Sequence, residues 1–290
     1  MGADRMKIAV LSGKGGTGKT LLSVNMAVIG ENTTYIDCDV EEPNGHLFLK
    51  PKEVIKEKVA VKIPVVDMGL CNGCQKCVEF CKFNALAYIN NKLMVFDNIC
   101  HSCGGCVLVC PEKALTEKDK IIGEVQKGVS QGINVLSGIL NIGEASGIPI
   151  IDKLLGEEPK NSQKTIIDCP PGSACIVMES IKDADYCVLI AEPTVFGVHN
   201  LSMVYELVKL FNKPHSVILN KCLDGKNPAE EFCIENNIKI LDKIPFDSEL
   251  GTLNSNALIA ARESPKYKKM FSEIFKKIIE EAQHEAAVNP

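Results

Sequence analysis

Residues 6–30 read MKIAVLSGKGGTGKTLLSVNMAVIG. Lys7–Leu11 is a short apolar stretch with the look of a strand, and LLSVNMAVIG continues as a helix, with a glycine-rich loop between them. Gly13, Gly18, Lys19 and Thr20 satisfy G-x4-G-K-[ST], and Gly15, Gly16 and Thr17 fill the loop. In a loop of this kind successive backbone N–H groups surround phosphate oxygens, and the positive end of the following helix adds to the attraction. Lys19 is then placed to reach the β- and γ-phosphates, and Thr20 to ligate Mg²⁺. The strand–loop–helix context makes this a nucleotide site and not a chance pattern.

Working outward, apolar strands alternate with helical stretches of ten to fifteen residues. TTYID (33–37) and KTIID (164–168) each end on an aspartate, YCVLIA (186–191) is an unbroken apolar run, and HSVILNKC (215–222) follows a helix over VHNLSMVYELVKLF (198–211). That alternation predicts an α/β protein with a doubly wound, mostly parallel P-loop NTPase sheet. In such sheets ligands bind beyond the carboxyl ends of the strands, where these motifs fall. Residues 121–151 predict a hairpin returning to the sheet and a helix at about 147–155.

Lys14 adds a second lysine to the loop, K-G-G-T-G-K-T. The loop resembles the deviant Walker A of the MinD/ParA/Mrp and nitrogenase iron protein group. The resemblance extends along the chain in that family's order and implies ATP or ADP with Mg²⁺ as cofactors. It gives Lys14 the role of reaching across a nucleotide-sandwiched homodimer to the partner's phosphates. Asp39 matches the switch I aspartate that orients the attacking water, with Asp37 in support. Asp168 matches the Walker B aspartate of the Mg²⁺ shell, and Gly172 the switch II glycine. Asn220, Pro245 and Asp247 fall where relatives line the adenine. Catalysis would rest on Lys14, Lys19 and Asp39.

The chain has fourteen cysteines. Cys71, Cys74, Cys77 and Cys81 follow C-x2-C-x2-C-x3-C, and Cys100, Cys103, Cys106 and Cys110 repeat it, with Pro111 next. Disulfides rarely persist in a reducing compartment, so metal is the expected use. The doubled run is that of bacterial ferredoxins with two [4Fe–4S] clusters, in which the fourth cysteine of each run ligates the other cluster. By that resemblance one cluster takes Cys71, Cys74, Cys77 and Cys110, and the second takes Cys100, Cys103, Cys106 and Cys81. Lys82 stands where the second run has proline. Zinc is the competing metal, but it needs four ligands, not eight. His101 reads as a neighbour of the ligands. The repeat, over roughly 63–88 and 93–116, predicts an inserted α+β ferredoxin-like domain at 60–118 within an ATPase domain of residues 1–59 and 119–290. Overall the chain resembles Mrp/MinD-type ATPases carrying an inserted ferredoxin domain.

Of the other six cysteines, Cys187 reads as core and Cys38, Cys222 and Cys233 as structural. Cys175 stands seven residues after Asp168, where the nitrogenase iron protein ligates a subunit-bridging cluster. A further interface metal or cluster at Cys175 is thus an open reading, with Cys169 the only nearby substitute for a second ligand.

Composition excludes other classes. With a net charge of −5, arginine only at 5 and 262, and no basic stripe, nucleic acid is not the expected partner. No apolar run approaches membrane-spanning length and no secretion signal is present, so a cytoplasmic location is expected. SPKYKKMFSEIFKKIIEEAQ (264–283) is an amphipathic helix, yet between Glu263 and Glu285 five lysines face five glutamates. That balance favours packing on the core over anionic lipid. The expected function is an ATP-hydrolysing iron–sulfur protein. It would couple nucleotide-driven dimer switching to low-potential electron transfer, or to cluster assembly or maturation in a redox or metalloprotein client. The alternative is a MinD-like positioning ATPase with the ferredoxin as redox sensor.

Overall fold

The computed structural model describes residues 5–159 and 162–288. In chain order its elements begin with β1 (Met6–Leu11), α1 (Lys19–Ile29), β2 (Thr33–Asp37), α2 (Gly45–Leu49) and β3 (Lys52–Val66). The cysteine-bearing segment holds α3 (Lys76–Phe80), β4 (Leu86–Ile89), β5 (Lys92–Val95) and α4 (Gly105–Leu108). There follow β6 (Leu115–Ser130), β7 (Ile133–Leu140), α5 (Ile148–Gly156), β8 (Lys164–Asp168), α6 (Cys175–Ile181), β9 (Tyr186–Ala191) and α7 (Val195–Leu210). The chain closes with β10 (His215–Cys222), α8 (Pro228–Glu235), β11 (Ile240–Pro245), α9 (Ser248–Ser255), α10 (Ala260–Glu263) and α11 (Pro265–Val288).

Among the described residues nine strands form one sheet in the order β11-β10-β9-β1-β8-β2-β7-β6-β3. The strands from β11 to β7 run parallel, and β6 and β3 add to the edge in antiparallel fashion. Alternation along β1 shows why helices cover both faces. Met6, Ile8 and Val10 join a core with α1, α10 and α11, while Ala9 and Leu11 join another with α5, α6 and α7. The apolar face of α11 is buried in the first of these cores through Tyr267, Phe271, Ile274, Phe275 and Ile278. Among the described residues no helix is long and apolar enough to cross a membrane.

β3 and β6 pair from Lys52↔Val129 to Val66↔Leu115. At about 3.3 Å per residue the 15-residue β3 spans about 50 Å. Its inner part is the sheet's edge, guarded by the exposed charges of Lys52, Glu53, Lys56 and Lys58. Its outer part ends at residues 67–114, which fold around a separate small core of Cys77, Leu86, Leu93, Cys106 and Leu115. The expected boundaries at 59/60 and 118/119 lie within β3 and β6, the first of them at the irregularity where the pairing register shifts between Val59 and Ala60.

Candidate functional site

The glycine-rich loop leaves the carboxyl end of β1 at the sheet's centre. Gly16 (φ +76°) and Gly18 (φ +104°) occupy the left-handed region that side chains disfavour. A Cβ on Gly18 would also lie 2.1 Å from Nδ2 of Asn220, and one on Gly13 would lie 2.2 Å from the carbonyl oxygen of Asn200. These two glycines are therefore fixed by sterics. A cavity of about 410 Å³ opens over the loop, walled by Gly15, Gly16, Gly18, Lys19, Thr20 and Asp39.

Beneath it the charges are tightly packed. Nζ of Lys19 donates to Oδ1 of Asp168 at 2.9 Å, both nearly inaccessible, and Tyr35 donates its hydroxyl to the other oxygen at 2.8 Å. Asp37 faces Asp168 across the β2–β8 ladder and accepts from the N–H groups of Gly45 (2.8 Å) and Asp39 (3.2 Å). Burial first, and then the charge of Asp168, pushes the Asp37 carboxyl up to about 7. Burial also raises Asp39, to about 6, against the pull of Lys19. For Lys19, burial alone would lower the pKa, but Asp168, backed by Asp39 and Asp37, holds it above its ordinary value. Three carboxyls crowd one ammonium. That surplus of negative potential suits a divalent cation.

Lys14 turns aside. Its Nζ lies 2.7 Å from Oε2 of Glu192, whose other oxygen pairs with Lys221 at 2.6 Å; Lys221 also donates to the Gly16 carbonyl at 2.8 Å. Burial by itself would raise the pKa of Glu192, yet the two lysines hold it below the ordinary range. Asn220 donates to the Thr17 carbonyl at 2.7 Å and so braces the loop from behind. Pro245 and Asp247 lie outside the cavity wall, which on that side is Asn254, Ser255 and Ala257. The Asp247 carboxylate caps α9 and pairs with Lys266 and Tyr267, which hold it down at about 2. Tyr35, Glu192, Lys221 and the 254–257 segment escaped the sequence reading. Glu192 stands just beyond the carboxyl end of β9, but its pairing with two lysines from other segments left no mark in the sequence.

The eight patterned cysteines divide into two groups. One cavity is lined by Cys71, Cys74, Cys77 and Cys110, and another, of about 430 Å³, by Cys81, Cys100, Cys103 and Cys106. Each remote cysteine accepts a backbone N–H four residues on: Ala85 to Cys81 Sγ at 3.4 Å, and Ala114 to Cys110 Sγ at 3.3 Å. Among the described residues no three cysteine sulfurs lie within 4.8 Å of one another. Around one tetrahedral zinc, sulfurs would be about 3.8 Å apart. His101 stacks on Phe83 with ring centroids 3.9 Å apart. Cys175 is exposed at the start of α6. Cys169 is fully buried beside Cys38 and Cys187, so it offers no second ligand at a surface.

Fold and loop together define a P-loop nucleotide-binding protein of the doubly wound type. The chain belongs to the CobQ/CobB/MinD/ParA nucleotide-binding domain family, whose model matches residues 8–258. It is 29% identical to an uncharacterised protein of Methanocaldococcus jannaschii over 279 residues, covering 95% of this chain and 97% of that one. An iron–sulfur cluster carrier protein of the same organism is 23% identical over 305 residues, 98% of this chain and 87% of the other. The cell division ATPase MinD of Pyrococcus furiosus shares the fold at a TM-score of 0.60 and 17% identity, over 95% of this chain and 98% of its own. MinD of Pyrococcus horikoshii, solved with Mg-ADP, does so at 0.59 and 16%, over 94% and 96%. The fold is that of the nucleotide-binding ATPases of the MinD/ParA type.

Proposed function

We propose that this protein is a Mg-ATP-driven iron–sulfur protein in which nucleotide state governs the delivery of low-potential electrons, or of reducing power for metal-centre assembly, to a client metalloprotein. The observation that carries the reading is the division of the eight cysteines. The two cavities take three cysteines from one run and the fourth from the other, which is the ligand sharing of two-cluster ferredoxins. The paired N–H···S bonds from Ala85 and Ala114 suit thiolate ligands. Cys71, Cys74, Cys77 and Cys110 would hold one cluster; Cys100, Cys103, Cys106 and Cys81 would hold the other. When bound, each cluster supplies one-electron chemistry at low potential. The likeness to an iron–sulfur cluster carrier protein agrees with an iron–sulfur role.

At the loop, Lys19 would neutralise the β- and γ-phosphates. Thr20 and Asp168 would hold Mg²⁺, and Asp39, which borders the same cavity, would orient the attacking water. Lys14, released from Glu192, would reach the phosphates of a second copy across a nucleotide-bridged homodimer. Cys175 is exposed at the start of α6, so among the described residues a third metal site has only this one ligand in its support. A membrane-positioning role has less support, because the apolar face of α11 is already used in the core.

The test is an anaerobic redox titration followed by electron paramagnetic resonance, without nucleotide, with Mg-ADP and with a non-hydrolysable ATP analogue. Two clusters are expected, with at least one potential moving between nucleotide states. Identical potentials in all three conditions would remove the gating claim.

A further inference from the structure

The loop between β7 and α5, residues 141–147, touches both the nucleotide-sensing segments and the second cysteine group. On its inner side, Leu140 N donates to the carbonyl of Val40, the residue after Asp39, at 2.8 Å. Gly147 has no room for a side chain, since a Cβ there would lie 2.4 Å from Val40 Cγ2 and 3.2 Å from Ile176 Cδ1. Ile176 directly follows Cys175 on α6, the helix that opens after the Asp168 loop. So this loop is packed against both segments that flank the phosphate cavity.

On the outer side, the carboxylate of Glu144 lies 2.8 Å from Nζ of Lys120, a β6 residue. The same ammonium donates to the carbonyl of Asp97 at 3.0 Å and to Oδ1 of Asn98 at 3.4 Å. Residues 97–99 form the single turn that delivers Cys100. The side chains of Lys120 and Glu144 are only 18% and 12% exposed, so solvent and salt screen the pair little. Other ion pairs on the ribbon are much more open, such as Lys56–Glu124, where Lys56 is 59% exposed.

We infer that Lys120 and Glu144 are positioning residues that tie the turn bearing Cys100 to the nucleotide-sensing segments, so that a change of nucleotide alters the freedom of residues 97–102. The inference rests on the nucleotide and cluster sites proposed above. It adds which contact carries the coupling and which of the two cysteine groups receives it. Packed interiors pass small displacements on because their contacts have discrete arrangements. A shift at Asp39–Val40 moves the Leu140–Gly147 loop. The Glu144–Lys120 pair then pulls on the Asp97 carbonyl. Among the described residues the first group, around Cys71, has no such tie.

The experiment is hydrogen–deuterium exchange by mass spectrometry on the full-length, anaerobically iron-loaded protein, with Mg-ADP and with a non-hydrolysable ATP analogue. The parent, Glu144→Gln, Lys120→Met and the ribbon control Lys56→Met are compared. Iron content and calorimetric Mg-ADP binding check that each variant is folded. Exchange at 97–102 is expected to differ about threefold between nucleotides in the parent and in Lys56→Met, and to become equal in Glu144→Gln and Lys120→Met. Should Lys120→Met fail to load iron, Glu144→Gln alone decides. A difference that persists in Glu144→Gln overturns the inference, as does a parent whose exchange changes at the glycine-rich loop but not at 97–102. Unmoved reduction potentials alongside the expected exchange pattern would count against the gating reading and leave this tie in place.

Discussion

In the nucleotide-free protein, Asp37→Asn should flatten the pH dependence of stability. Asp37 is 1% exposed and stands opposite Asp168 in adjacent parallel strands, while Lys19, the ammonium whose charge it feels, bonds Asp168. Its folded pKa of about 7 lies above the ordinary 3.8, so the folded state keeps a proton that the unfolded chain has lost. The sign follows directly. The neutral carboxyl favours folding below about pH 4, and that contribution is lost as pH rises to about 7. The gap from 3.8 to about 7, at about 1.4 kcal/mol per pH unit, amounts to about 4 kcal/mol in full. Of this, about 2–3 kcal/mol falls between pH 5 and pH 8.

Asparagine keeps the shape and carries no charge at any pH. It loses one of the two acceptors now bonded to the Gly45 and Asp39 amides, a cost that does not vary with pH. The measurement is therefore a difference of slopes. Urea unfolding of parent and variant at pH 5, 6, 7 and 8, without Mg²⁺ or nucleotide, should show the variant gaining about 2–3 kcal/mol on the parent across that range. A gap constant to within about 0.5 kcal/mol would mean that Asp37 is charged throughout, and the account of crowded carboxyls would fall.

Gly18→Ala should weaken Mg-ADP binding by at least about tenfold in calorimetry, because the new Cβ meets Asn220 and φ is +104°. Cys81→Ser and Cys103→Ser should each remove the same paramagnetic signal and about half of the iron, whereas Cys71→Ser should remove the other half. If Cys81→Ser and Cys71→Ser abolished the same signal instead, the cross-run ligand assignment would be wrong. Glu192→Gln should release Lys14 and increase dimer formation with a non-hydrolysable ATP analogue in analytical ultracentrifugation, with Mg-ADP affinity of the single chain changed by less than about threefold.

The features legible in the sequence were those whose chemistry is local. G-x4-G-K-T fixes its own conformation through Gly16 and Gly18, and β2 and β8 end on Asp37 and Asp168 as their apolar runs foretold. The cysteine runs carry their spacing with them. The less legible features depend on pairing between distant segments. β3 and β6 run through the expected domain boundaries because their register is set by each other and by β7, not by composition. Asp247 was expected beside the base. Aspartate is also a preferred N-cap, and with Ser248 and Glu249 following, the capping role is the one its side chain takes. Glu192 and Lys221 belong to the site through a two-lysine pairing that only the juxtaposition of β9 and β10 creates.

Placement of the cysteine segment between Asp39 and Asp168 in the chain is by itself no argument for coupling, since a long insertion can hang from a sheet and sense nothing. The sheet order is a stronger argument. β3 and β6 occupy the edge, but β7 lies between β6 and β2, and β2 bears Asp37. The ribbon's inner half is thus one strand away from the carboxyls, and its outer half holds the cysteines. Because β7 ends against Val40 and continues into the Glu144 loop, a rearrangement of the Asp39 segment reaches the Cys100 turn through adjacent packed elements and one shielded ion pair. An insertion attached instead beyond β11 would have the same motifs and no such route.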